Sequence, residues 1–559
     1  MKNLSKITIF TLFILLLGSG LNAQTNLKID ISSKAKIQPT MYGIFFEDIN
    51  FAADGGIYAE MVKNRSFEFD HPMMGWQQPN SDRHSLNEKS GYAQPAKRGD
   101  DTPNNNFCQI IINDPDGYEL INEGFRGMGV KKENKYLLSF DAKNSSTSVQ
   151  NITFKLIDQE GQTIGQTKVN IESQEWKSYE SSLISSATES KAKLKITFDG
   201  AGEVYLDMVS LFPEDTWKGR KNGLRKDLVQ LLYDLEPGFL RFPGGCIVEG
   251  RTLDNRYQWK KTVGGIEDRE LMINRWNTEF RHRFTPDYFQ SFGLGFFEYF
   301  QLAEDLGAEP LPIISCGMAC QFNTAELAQM EELDPYIQDA LDLIEFANGE
   351  VTSTWGKIRS DMGHPEPFNL KYIGVGNEQW GPEYIARYKT FHDRIKSEYP
   401  EIQIVSGSGP FAEGEHFEYT WEELKKLGTD IVDEHYYKNP EWFRDNAARY
   451  DDYDRNGPKI FAGEYAGQSK SIASPENKNN WECPLSEAAF MTGLERNADI
   501  VHLTSYAPLF AHAEGWQWTP DLIWFNNLES YGTPNYYVQK LFSNNKGTDL
   551  ISVTKEGNL

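Results

Sequence analysis

The chain has 559 residues and a formal charge of −25, too long for one small core, so about two to four domains are expected. No basic run follows the first residues, which argues against nucleic acid or an anionic membrane surface as partner. Aromatic residues make up 13% of the chain, more than packing requires, and suit surfaces on which sugar rings stack.

The N-terminus reads as a targeting segment. Lys2 and Lys6 precede the apolar run from Ile7 to Leu17, and small residues lead to a cleavage point after Ala23. The run is too short to span a bilayer, no cysteine follows it, and no later segment looks membrane-spanning. The chain is therefore expected to be exported, periplasmic or extracellular, without membrane insertion. Cys108, Cys246, Cys316, Cys320 and Cys483 are few and odd in number for an exported protein, and do not make a disulfide framework. Cys316 and Cys320 lack zinc-site spacing and a clustered histidine. They read as free thiols, and neither a metal nor another cofactor is expected.

Leu27 to Ile37 alternates apolar and polar residues and predicts a half-buried strand. Tyr42 to Phe46 predicts a buried strand ending in Glu47 and Asp48, followed by a short helix over 57–63. From residue 71 to 213, turn-rich sequence and alternating strands without helical periodicity predict an inserted β-sandwich. Trp76, Tyr92 and Trp176 are candidates for a sugar-binding face on it, with core or edge packing as the alternative.

From Trp217 onward, strand and helix patterns alternate as in a parallel α/β fold. Strands are expected at Phe239, Pro310, Tyr372, Ile402, Ile431, Ile460 and Ile500, and helices around 224–235, 294–306, 335–348, 382–395, 418–427 and 484–497. With the strand at Tyr42 this makes eight, the count of a (β/α)8 barrel, whose chemistry is built at the carboxyl ends of the strands. Asn377-Glu378 follows the fourth strand and Glu464 ends the seventh. Two strand-end glutamates are what a glycosidase needs: one protonates the leaving oxygen, and the other attacks carbon or activates water. The competing reading of each is an ordinary strand-end carboxylate.

Several segments resemble the family-51 α-L-arabinofuranosidases, a family of retaining glycosidases, in the form carrying an inserted carbohydrate-binding-like sandwich. They are TMYGIFFEDINFAADGGIYAEMVKNRSFE, GFRGMG, WKGRKNGLRKDLVQLLYDLEPGFLRFPGGCIVEG, RWNTEFRHR, IGVGNEQWGPEY, DEHYY and FAGEYA, spread over roughly residues 39–540. The resemblance implies Glu378 as acid/base and Glu464 as nucleophile, about 5–5.5 Å apart as retention demands. It further implies Asn377 on the sugar 2-hydroxyl, Glu47 on ring hydroxyls, Tyr436 on the nucleophile and Trp276 as a pocket wall. Cys246 stands where many members have Asn. Trp518, with Trp516, is expected at the pocket rim, and Arg241 and His435 are expected to orient the acids. Beside these stand blander roles: Glu47 or Asp48 paired with Arg241, His435 a satisfied strand-end histidine, and Trp276 in the core.

The implied division is a signal peptide over 1–23, a first strand and barrel unit over 24–70, the sandwich over 71–213, and the catalytic barrel over 214–520. Residues 521–559 would begin an incomplete C-terminal β-sandwich, leaving the strand at Leu27 short of partners with an open edge. The implied activity is exo-acting release of α-L-arabinofuranosyl residues from arabinan- or arabinoxylan-type plant polysaccharide. A β-xylosidase or endo-glucanase of similar fold, and a non-catalytic glycan-binding protein, are the alternatives.

Overall fold

The computed structural model describes residues 26–79, 91–99, 101–114, 117–145 and 150–556; the expected targeting segment lies outside them. Eight parallel strands are hydrogen-bonded in chain order: β1 (Ile44–Phe45), β2 (Phe239–Phe242), β3 (Glu309–Ile314), β4 (Tyr372–Val375), β5 (Gln403–Gly407), β6 (Ile431–Lys438), β7 (Lys459–Gly467) and β8 (Val501–Tyr506). Tyr42 bridges Thr504, and the Gly43 N–H donates to the Thr504 carbonyl at 3.0 Å, which brings β8 back to β1. These are the eight expected strands in the expected order. Their apolar residues, such as Ile373, Val375, Ile404, Ile431, Ile460 and Phe461, are buried, because a barrel strand packs on the interior on one face and on helices on the other.

The crossover helices include Phe296–Leu306, Asp334–Asn348, Pro382–Glu398, Glu415–Leu427 and Glu482–Arg496. In Pro382–Glu398 the proline takes the first turn, where its missing N–H costs nothing. Tyr384, Tyr388, Phe391 and Ile395 form the buried stripe.

The sandwich is inserted within the first crossover. Its five-stranded antiparallel sheet holds Lys135–Asn144 between Lys177–Ile184 and Gly202–Pro213. The facing sheet holds Glu189–Asp199 between Gln150–Ile157 and Tyr118–Asn122. Helix Lys226–Tyr233 then completes the crossover, burying Leu228, Val229 and Leu232. The insert is pinned to the segment after β8: the Asn527 amide donates to the carbonyls of Arg126, Gly127 and Ser190, and Lys191 pairs with Glu514. Gly129 permits that approach, since a Cβ there would stand 1.9 Å from the Asn527 oxygen.

Three expectations are corrected. Residues 57–63 form no helix: Tyr58 bridges Asp54 and Leu224, and 59–62 are irregular. The buried Glu60 carboxylate accepts from the N–H groups of Val62 and Leu211, both at 2.9 Å, and the Met61 N–H donates to the Leu211 carbonyl, so helical bonding there is pre-empted. Strand Asn26–Lys36 is exposed, not half-buried: it pairs antiparallel with Asp549–Glu556, Ile29 opposite Val553, in a two-stranded sheet that leaves Leu27, Ile29 and Ile31 exposed and keeps the expected open edge. Trp76, Tyr92 and Trp176 form no common face. Trp76 is buried against Phe67 on one sheet, while half-buried Trp176 lies under Arg98 near the other.

Candidate active site

The carboxyl ends of the strands surround a cavity of about 460 Å³ lined by Glu47, Cys246, Trp276, Glu378, His435, Tyr437, Glu464 and Trp518, among others. Two glycines after β2 make the close packing possible. A Cβ on Gly245 would stand 2.7 Å from Glu464 Oε1, and one on Gly244 would stand 2.6 Å from Glu47 Cγ. Glu378 has a left-handed backbone (φ 52°), which costs a non-glycine residue about 1–2 kcal/mol and is characteristic of functional sites.

One oxygen of Glu378, one of Glu464 and a ring nitrogen of His435 all lie within 4.8 Å of one another. Glu464 is held from two sides: Arg241 Nη2 donates to Oε1 at 3.0 Å, and the Tyr437 hydroxyl donates to Oε2 at 2.8 Å. Arg241 is fully buried and also donates to Asp433 Oδ2 at 2.8 Å and Asn377 Oδ1 at 2.7 Å. It therefore takes neither Glu47 nor Asp48. Asp48 instead accepts from Tyr288 and the Ala53 N–H, outside the cavity lining.

His435 bridges Glu378 and Asp433, with Nδ1 2.8 Å from Glu378 Oε1 and Nε2 3.1 Å from Asp433 Oδ2. Burial opposes its charge, but Glu464 and Asp433 overcome that and push it up to about 10. At neutral pH it is an imidazolium that donates through both nitrogens. Burial raises the Glu464 carboxyl, while His435 and Arg241 pull it back down. Burial, then Glu464, pushes Glu47 up to about 8; its Oε1 accepts from the Ile247 N–H at 2.9 Å.

The tyrosine on Glu464 is Tyr437, not Tyr436. Successive strand side chains face opposite ways, so Asp433, His435 and Tyr437 of β6 point to the site while Tyr436 points out to Glu434 and Tyr450. Asn377 is not among the cavity-lining residues. Its Oδ1 accepts from Arg241 and its Nδ2 donates to Glu249 at 2.9 Å. Trp276 and Trp518 both line the cavity; Trp276 stacks on Phe280, and Trp518 meets Tyr437 edge-on. Trp516 lies outside it, between Arg283 and Lys478.

Asp433, Glu249 and Cys320 were not anticipated. Asp433 shares the strand parity of His435, and Glu249 follows Cys246 by three residues on one helical turn, so both had a sequence signal. Cys320 had none, because its neighbour is Cys246 rather than Cys316. The two sulfurs lie within 4.8 Å of each other, and their interaction draws the Cys320 thiol down and pushes the Cys246 thiol up. Cys246 Sγ also lies 3.5 Å from Glu378 Oε2.

Residues 231–455 match a model of the α-L-arabinofuranosidase 1 domain, and residues 463–558 one of the α-L-arabinofuranosidase C-terminal domain. The chain is 42% identical to an extracellular exo-α-L-arabinofuranosidase of Streptomyces chartreusis over 94% of its own length, and spans 62% of that protein. It is 35% identical to α-L-arabinofuranosidase 2 of Arabidopsis thaliana, covering 96% of this chain and 77% of the plant protein. An arabinose-bound α-L-arabinofuranosidase structure of family 51 superposes with a TM-score of 0.82 at 30% identity, over 95% of this chain and 84% of that one.

Proposed function

The chain belongs to the family-51 α-L-arabinofuranosidases, and on that premise we propose that it is an exo-acting, retaining hydrolase of terminal α-L-arabinofuranosyl residues. The observation that carries the proposal is that one carboxylate oxygen of Glu378 and one of Glu464 lie within 4.8 Å of each other across the cavity, which supports the closer of two possible spacings. Retention needs about 5–5.5 Å between the carboxyl groups, whereas inversion needs about 6.5–9.5 Å to hold a water between them.

Glu464, aligned by Arg241 and Tyr437, attacks the anomeric carbon as Glu378 protonates the departing oxygen. The proton leaves from Oε2, because His435 holds Oε1. This gives a glycosyl ester on Glu464 and an ionised Glu378. Esterification removes the charge of Glu464, and Glu378 then takes a proton from water, whose oxygen displaces the ester with retained configuration. Glu47 hydrogen-bonds ring hydroxyls, and Trp276 and Trp518 wall the pocket. Asn377, buried behind the cavity wall, positions Arg241 and Glu249.

Glu47 and Ile49 after β1, Cys246 and Trp276 after β2, and Trp518 after β8 all line the cavity, and a pocket walled by these loops favours release of single terminal residues over cleavage within a chain. The substrate class follows from the family: arabinose-bearing plant polysaccharide of the arabinan or arabinoxylan type. The N-terminal segment and the extracellular Streptomyces relative both support action outside the cytoplasm.

Proton NMR of an aryl α-L-arabinofuranoside during hydrolysis tests this reading. The first-formed arabinose is expected to keep the α configuration, and an aryl β-xyloside should turn over far more slowly. First-formed β-arabinose, or preference for the xyloside, refutes it.

A further inference from the structure

Beside the two catalytic acids lies a second cluster that the reaction does not use. Cys246, Glu249 and Cys320 each present a ligand atom, and the three atoms lie within 4.8 Å of one another. We propose that these residues form a binding site for a thiophilic divalent cation of the zinc–cadmium class, and that its occupation stops hydrolysis.

The donor set suits such an ion: two sulfur ligands and a carboxylate, with a fourth position open. A shared tetrahedral ion would hold its donors about 3.5–4 Å apart, so small side-chain rotations are enough to close the site. Its backbone is already fixed. Cys246 and Glu249 sit three residues apart on one helical turn, the Gly250 N–H that ends the turn donates to the Cys246 carbonyl, and the Cys320 N–H donates to the Gly250 carbonyl at 3.1 Å. Asn377 Nδ2 orients the Glu249 carboxylate at 2.9 Å, the kind of outer contact that metal-ligating carboxylates keep.

Charge favours a cation. Two thiolates and the Glu249 carboxylate carry −3 and Glu378 adds a further carboxylate, while the buried guanidinium of Arg275, which neighbours both sulfurs and Glu249, is itself paired with Glu279 at 3.2 Å. Binding releases the thiol protons, and the proton on Glu378 where its oxygen becomes a ligand, to solvent and involves no oxidation. The ion has a route in, since Cys246 and Cys320 both line the catalytic cavity. Glu378 Oε2, 3.5 Å from Cys246 Sγ, is placed to become the fourth ligand, and a metal-bound Glu378 delivers no proton.

The full chain, kept reduced with a phosphine, is titrated with Co²⁺ as a spectroscopic probe and with Cd²⁺ as inhibitor. One Co²⁺ per chain is expected, with a thiolate-to-cobalt charge-transfer band that arabinose suppresses by competition. Cd²⁺ is expected to inhibit, and a chelator to restore activity. Cys320→Ser and Cys320→Ala, checked for native circular dichroism, should lose the band and need about tenfold more Cd²⁺ or higher for the same inhibition. Two outcomes overturn the proposal: a wild-type cobalt complex without the thiolate band, or variants bound and inhibited like the wild type. The second would place the ion on Glu378, His435 and Glu464 instead.

Discussion

In the sandwich strand Lys135–Asn144, buried and half-buried side chains alternate without a break, and Phe140 meets Phe154 of the facing sheet at 4.7 Å between ring centroids. At the barrel mouth, Arg241 instead holds Asn377, Asp433 and Glu464, partners 136, 192 and 223 residues away. The first region is stabilised by apolar area, a quantity that each strand contributes on its own. The second gathers charges that stabilise one another only once the barrel has closed, and its buried acids sit close together at a cost in folding free energy. A substitution should therefore act on stability in one region and on chemistry in the other.

The largest effect expected is that of Glu464→Ala. It should lower kcat on an aryl α-L-arabinofuranoside by about 10⁵-fold or more, the scale seen when a covalent nucleophile is removed. The fold should not suffer, because Arg241 keeps Asp433 and Asn377 and one crowded acid is gone. A thermal melt should match or exceed the wild type, and a melt well below it would break the contrast. Phe154→Ala is the counterpart in the sandwich. Deleting a buried ring costs about 3–5 kcal/mol, read by denaturant unfolding, while kcat per folded molecule should stay the same. A kcat that fell in step with stability would mean that the sandwich shapes the active site.

The same contrast explains what was legible in the sequence. Period-two alternation reveals part of the sandwich, though Gly91–Lys97 and Asn106–Ile112 are strands in sequence that reads as turn-rich, and apolar runs between helical stripes reveal all eight barrel strands, because both signals are local. Glu378 and Glu464 stand out as strand-end acids. Residues 57–63 misled because a side chain, Glu60, takes N–H groups that a helix would use. The Cys246–Cys320 neighbourhood had no signal, since nothing in either segment refers to the other. Tyr437 was legible after all: once His435 is placed at the site, the residue two positions on must share its side, and Tyr436 cannot.

That parity supplies a smaller test. Tyr437→Phe removes one hydrogen bond to a charged carboxylate, worth about 1.5–3 kcal/mol, and should lower kcat by roughly 10–100-fold with little loss of stability. Tyr436→Phe takes a buried hydroxyl from Glu434 and should lower the unfolding midpoint while leaving kcat close to wild type. The reverse pattern would restore Tyr436 to the nucleophile.

The smallest expected effect, and the most specific, is a shift of pH profile in His435→Asn. Attack requires Glu464 ionised, so the acid limb of kcat/KM follows its protonation in the free enzyme. Burial raises that carboxyl, and the His435 imidazolium pulls it down more strongly than Arg241 does. Deleting the imidazolium leaves burial less opposed, the carboxyl rises, and the acid limb must move to higher pH. His435 itself is pushed up to about 10, so in the wild type it stays charged across the whole acid limb and cannot be the group titrating there. A merely structural histidine would lower kcat/KM equally at every pH. Movement of the limb is therefore what separates a group that sets the charge of the nucleophile from one that only fills the space beneath it.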